Sequence, residues 1–190
     1  MKKAGVVIAA ALCIALLCGA FYMVKVRSDS AQNTETELTT VQKLIAKDLD
    51  KRYPPTPREV IKLYNRIITC YYKEDYTQEE LSRLADQTLC LFDTQLQENN
   101  PKDIYLSSLE ADIEDYKSHN RFIAQSDVCD SADVLYKTID GDDIAYVNAS
   151  YFVREGSDFS KTYQQYVLRK DDKGQWKILV FYQIEPDQED

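Results

Sequence analysis

YVLRKDDKGQWKILVFY, Tyr166 to Tyr182, decides how the chain is read. Apolar residues recur at every second position on both sides of Asp171-Asp172-Lys173-Gly174, the pattern of two β-strands joined by a turn. The first strand is expected from Tyr163 to Arg169 and the second from Trp176 to Ile184. In the second, Trp176, Ile178, Val180, Tyr182 and Ile184 fall on one side, with Lys177, Leu179, Phe181 and Gln183 on the other. Both sides are partly apolar, which suits a strand near the middle of a curved sheet with helices on its concave face.

Upstream, the same two-residue period begins after Arg121. Val134 to Ile139 alternates and runs into Asp140-Gly141, a dipeptide suited to the positive backbone angles of a tight hairpin turn. The return strand is expected from Ile144 to about Val153, followed by a seven-residue loop, Arg154 to Ser160. These features predict about four antiparallel strands.

Before Arg121 the period is helical. Thr56-Pro57-Arg58-Glu59 reads as a capping box with proline at the first helical position. It introduces a stripe of Val60, Leu63, Tyr64, Ile67, Ile68 and Tyr71 over about 16 residues. Thr77-Gln78-Glu79-Glu80 starts a second helix with Leu81, Leu84, Ala85, Leu89, Phe92 and Leu96, stopped by Asn99-Asn100-Pro101. Ser107-Ser108-Leu109-Glu110 reads as a third start, introducing Leu109, Ile113 and Tyr116. About three helices followed by an antiparallel meander define an α+β fold over residues 55–190, which end in an acidic tail.

The beginning of the chain differs. Ala4 to Val24 is 21 residues without a charge, long enough as a helix of about 31 Å to cross a hydrocarbon core of about 30 Å. A cleaved signal peptide shares the basic start, but this apolar run is long and Lys25 and Arg27 follow closely. A lipoprotein reading fails because leucine precedes both Cys13 and Cys18. Residues 1–27 are therefore expected to form a transmembrane anchor, and residues 28–54 a polar tether and stalk. Within the latter, Leu38, Val41, Leu44, Ile45 and Leu49 are weakly amphipathic and either prolong the stalk or pack loosely on the domain. The charge difference across the anchor favours an inside amino terminus and an extracytoplasmic domain.

Taking Lys2, Lys3, Lys25 and Arg27 from the 23 basic residues leaves 19 against 32 acidic ones, a charge of about −13 beyond Arg27. Such a surface repels phosphate backbones, so nucleic acid is an unfavourable partner. Cys70, Cys90 and Cys129 match no zinc spacing. They read as reduced structural thiols, the alternative being one disulfide and a spare thiol. Asp140-Gly141-Asp142-Asp143 lacks the length and distant glutamate of a calcium loop. Five glycines form no phosphate cradle, no cofactor motif occurs, and Asn148-Ala149-Ser150 lies within an expected strand. His119, the single histidine, reads as a C-terminal helix cap.

The order of elements over Pro55 to Glu185, with the Tyr166–Tyr182 segment, resembles the nuclear transport factor 2-like superfamily, in which early helices pack into a strongly bent antiparallel sheet. TPREVIKLYNRIITCYYKEDYTQEEL, Thr56 to Leu81, together with that tail, resembles a family of membrane-anchored proteins from anaerobic Gram-positive bacteria that brings no activity with it. The superfamily implies a cone-shaped pocket between helices and sheet. Tyr64, Tyr71, Tyr151, Tyr166, Trp176 and Tyr182 are the candidates to line it, since a phenol offers an apolar ring with one polar tip. The competing reading is ordinary core packing. Isomerases and dehydratases of this superfamily pair tyrosine with a buried acid, whereas Asp112, Glu114 and Asp115 here read as the polar side of a helix.

The expected function is a non-catalytic binding or assembly module held at the membrane through residues 4–24, with a protein partner or small ligand. The rivals are a structural subunit of a membrane or secretion complex and a small-molecule isomerase or dehydratase. The orientation has a direct test. Protease added to intact cells is expected to remove the domain, whereas a domain cut only after lysis lies inside.

Overall fold

A computed structural model describes residues 38–185. The anchor Ala4–Val24, the tether up to residue 37 and the last five residues lie outside the described residues. Among the described residues five α-helices precede five β-strands, with one 3₁₀ turn between the first two strands; about three helices and about four strands were expected.

Helix α1, Thr40–Ile45, is capped by Thr39 and Gln42 reciprocally. Six residues cannot hold a helix by hydrogen bonding alone. Burial does it: Val41 and Leu44 are 1% exposed, and Leu49 beyond the helix is also buried. Gln87 clamps the helix end by donating to the Ile45 and Lys47 carbonyls at 3.2 and 3.0 Å. The stretch expected to prolong the stalk or pack loosely is thus part of the core. Its weak amphipathicity misleads because a short helix needs only three buried side chains.

Helix α2, Pro57–Lys73, begins at Thr56, whose hydroxyl accepts from the Glu59 amide at 3.2 Å. Glu59, expected to reach back to the cap, pairs with Lys62 at 3.0 Å. In α3, Gln78–Leu91, both halves of the Thr77/Glu80 box form. That helix stops short of its expected end, because Phe92 turns extended and the Asp93 amide donates to the Ile178 carbonyl at 2.8 Å. Asp93 then caps α4, Thr94–Asn99. Helix α5, Lys102–Ser118, starts after Pro101, so Ser107 and Ser108 stand within it rather than at its cap. Proline supplies the helical entry angle six residues earlier than the expected box.

The sheet comprises β1 (Arg121–Val128), β2 (Leu135–Ile139), β3 (Asp142–Glu155), β4 (Asp158–Lys170) and β5 (Trp176–Ile184), all antiparallel. The order is β1-β3-β4-β5, and β2 shares the β1 edge of β3. β1 pairs with residues 149–155 and β2 with residues 142–146. β1 was not separated from the sequence because RFIAQSDV has no clean alternation; a register shift between Ile123 and Gln125 breaks it. Asp140 and Gly141 both have positive φ, as a tight hairpin turn requires. The expected loop Arg154–Ser160 is instead a two-residue turn, since Glu155 pairs with Asp158 around Gly156, whose φ is +58°. The hairpin end projects into solvent, so its residues carry no apolar alternation to read.

β5 is an edge strand, not a central one. Its two apolar sides come from the register shift at Val167/Leu168, which skips Leu179 and brings Phe181 opposite Tyr166. Part of its free edge is covered by Phe92, bridged to Ile178. α2 contacts β1, β3 and β5 together. Strands β1 and β5 are three steps apart, about 14 Å in a flat sheet, and the curved sheet brings both against the one helix.

Asp93 is the buried charge of this core, 5% exposed. Arg169 grips its carboxylate with Nη2 at 2.5 Å and Nε at 3.0 Å. Removing the carboxylate loses a cap worth about 1 kcal/mol and leaves a partly buried guanidinium with only the longer contact to Asp142. Asp93→Ala is expected to lower stability by about 2–4 kcal/mol in denaturant unfolding, and Asp93→Asn, which keeps the cap, by less. Equal losses would mean that the charge contributes nothing.

Candidate ligand-binding site

Four side chains of α2 share one face: Tyr64, Ile68, Tyr71 and Tyr72, at helical spacing. α5 presents a second stripe, Tyr105, Ser108, Asp112 and Tyr116. Alternating residues of β4, Thr162, Gln164 and Tyr166, face them with Tyr151 of β3 and Phe181 of β5. Together these enclose a half-open cavity of about 350 Å³ between helices and sheet. That is at the small end of the range for small-molecule sites.

Of the six expected pocket residues, Tyr64, Tyr71, Tyr151 and Tyr166 line the cavity. Trp176 does not: it packs edge-on against Tyr136 at 5.7 Å, and its carbonyl accepts from the Tyr53 hydroxyl. Tyr182 does not either, because the β5 register shift turns it away, where its hydroxyl donates to Gln165. Tyr72, Tyr105, Tyr116 and Asp112 were missed. Their α5 stripe repeats at three, four and four from Tyr105, but starting the helix at Ser107 cuts it in half. Asp112, read as part of a solvated acidic face, lies at the cavity and makes no ion pair among the described residues.

Beneath the cavity runs a polar chain. Tyr151 Oη donates to Asn65 Oδ1 at 2.6 Å, lies 2.6 Å from Tyr166 Oη, and Tyr166 Oη is 2.7 Å from Gln164 Oε1. Three links need three protons and the phenols supply two, so one terminal amide must donate. Asn65 is 2% exposed and its Nδ2 has no partner in the present arrangement. Turning its amide would let Nδ2 donate to Tyr151 and run the chain outward to Gln164. Deeper still, the Tyr71 and Thr88 hydroxyls meet at 2.6 Å.

The rings contact one another closely. Tyr72 stacks on Tyr116 at 4.0 Å, Tyr64 meets Tyr166 edge-on at 5.6 Å, and Tyr166 lies 5.5 Å from Phe181. Arg121 sits over Tyr116 at 5.2 Å, its charge paired with Asp115 and Glu155 at 3.1 and 3.0 Å. Elsewhere, His119 caps α5 as expected, with Nδ1 2.9 Å from the Asp115 carbonyl. The hairpin-turn acids Asp142 and Asp143 pair with Arg169 and Lys170. Cys70, Cys90 and Cys129 are free thiols, and Cys90 is exposed, contrary to its place in an apolar run.

Fold and cavity define an α+β protein in which helices and a curved antiparallel sheet enclose a tyrosine-lined space. A family model described as a domain of unknown function (DUF6715) matches residues 1–181, and the chain belongs to that family. No curated protein matches it significantly.

Burial is the main reason that the cavity phenols resist ionisation. It pushes Tyr151 up to about 12, and Tyr64 and Tyr166 well above the ordinary value. For Tyr72, burial acts first, then Tyr116 and Asp112. The folded state therefore holds these protons more tightly than the unfolded chain. Their contribution is complete below the ordinary phenol value near 10 and is lost as pH rises towards the folded values. Denaturant unfolding is expected to show stability falling above about pH 10, by about 1 kcal/mol per pH unit for each such phenol. Unchanged stability between pH 10 and 12 would contradict this burial.

Proposed function

We propose that the chain is a membrane-anchored, extracytoplasmic binding module that takes a small ligand into the tyrosine-lined cavity without transforming it. The observation that carries the reading is the cavity itself. Apolar rings make its walls, while phenol, amide and hydroxyl groups supply the few polar contacts that orient a ligand. The nuclear transport factor 2-like resemblance is supported by helices preceding a curved antiparallel sheet with a space between them.

Anchoring is supported by the uncharged run Ala4–Val24. Among the described residues no helix is long and apolar enough to cross a membrane; the anchor in this reading is residues 4–24.

One observation favours the isomerase or dehydratase reading: a carboxylate, Asp112, reaches the same space as several phenols. Against it, Asp112 is exposed, whereas proton transfer at these sites relies on a carboxyl kept from water. A recognition role for Asp112 fits its position better.

The test uses the full chain purified in a maltoside detergent and exposed to a mixture of small organic molecules, read by native mass spectrometry. Wild type is expected to retain a subset, and Ser108→Trp, which puts an indole at the cavity mouth, to retain none of that subset. Identical retention by both proteins overturns the cavity reading. Turnover of any retained compound, abolished by Tyr166→Phe, overturns the non-catalytic one.

A further inference from the structure

The cavity has a one-sided electrostatic character. Among the described residues Asp112 is the only carboxylate that lines it, and no lysine, arginine or histidine does. The remaining walls are dominated by tyrosine rings and Phe181. An aromatic face is the negative end of a ring quadrupole and attracts a cation placed above it.

Asp112 is also unspent. Its neighbour one turn on, Asp115, is bound by Arg121 and His119, but Asp112 pairs with no cation among the described residues. The same aromatic group already shows the attraction from its outer side. Tyr116 carries the Arg121 guanidinium at 5.2 Å on its ring while stacking on Tyr72 at 4.0 Å. That guanidinium is neutralised by two carboxylates and leaves no positive charge for an anion to use.

An anionic ligand would meet a carboxylate, ring faces and the field of an acidic chain, all of one sign. A neutral ligand would draw no charge attraction from Asp112. Resting on the cavity reading above, we propose that the site takes an organic cation, an ammonium group on a small apolar body. The ammonium lies among the ring faces within reach of Asp112, and the body lies towards Ile68, Ile123 and Val153. Polar atoms on the ligand meet Gln164 or Thr162. Binding involves no covalent step.

Choline and 3,3-dimethylbutan-1-ol separate charge from shape, because they differ by a carbon in place of the quaternary nitrogen. Saturation-transfer NMR on the full chain in maltoside detergent is expected to give at least about tenfold tighter binding for choline, weakening as salt screens the attraction. Asp112→Asn is expected to weaken choline about three- to tenfold and to leave the alcohol unchanged, its thermal unfolding matching wild type. Ser108→Trp is expected to abolish both.

Equal affinities for the two probes, no effect of Asp112→Asn, or no choline binding at 100 mM each overturn the cation assignment. If both probes bind equally and Ser108→Trp stops them, the cavity reading survives without it. Choline binding that persists in Ser108→Trp lies outside the cavity and overturns both.

Discussion

Helix α2 is apolar on more of its circumference than one neighbour can cover. Val60, Ile61, Ile67 and Tyr71 are each at most 1% exposed, and Leu63, Tyr64 and Cys70 are nearly so. Each such side chain contributes about 1.5–3 kcal/mol when taken from water, so the helix must be enclosed on several sides. A flat sheet would leave its flanks wet. The sheet therefore curls, with register shifts in β1 and β5 where it bends, and the other helices close the side it leaves open.

Enclosure by tyrosine has a consequence that enclosure by leucine does not. A phenol buries a large ring but keeps a hydroxyl that must find a partner. Around α2 those hydroxyls meet one another, Asn65, Gln164 and Thr88. Rings held by their polar tips cannot collapse to fill the remaining space, so a cavity survives beside a packed core. One wall of the cavity is α5, a helix with only Leu109 and Ile113 buried. There a carboxylate can stand next to aromatic rings without losing its hydration.

The break between α3 and α4 shows how a distant contact overrides a local pattern. Leu89, Phe92 and Leu96 continue the helical stripe, yet the chain opens at Phe92 because the edge of β5 offers a backbone hydrogen bond at Ile178 and Arg169 offers Asp93 a charge partner. Neither is visible within the local window. Similarly, Trp176 reads as a pocket residue by chemistry, but it stands on the part of β5 that precedes the register shift, among Tyr53, Tyr136 and Lys170. Tyr182 lies beyond the shift and turns outward. Tyr64 and Tyr71 were legible because helical spacing ties them to the stripe that must be buried.

Period and caps in the sequence were sufficient for the α+β class, for helices α2 and α3, and for the Asp140-Gly141 and Asp171–Gly174 turns. These depend on interactions within a few residues, where backbone preference and side-chain spacing act directly. Only the tertiary structure decided that α1 belongs to the core, that β1 joins the sheet and that β5 lies at its edge. It also decided which phenols and which carboxylate share a cavity. A residue's face is set by its own period, but its neighbours across that face are set by how the sheet curls, and curvature arises from contacts between segments far apart in the chain.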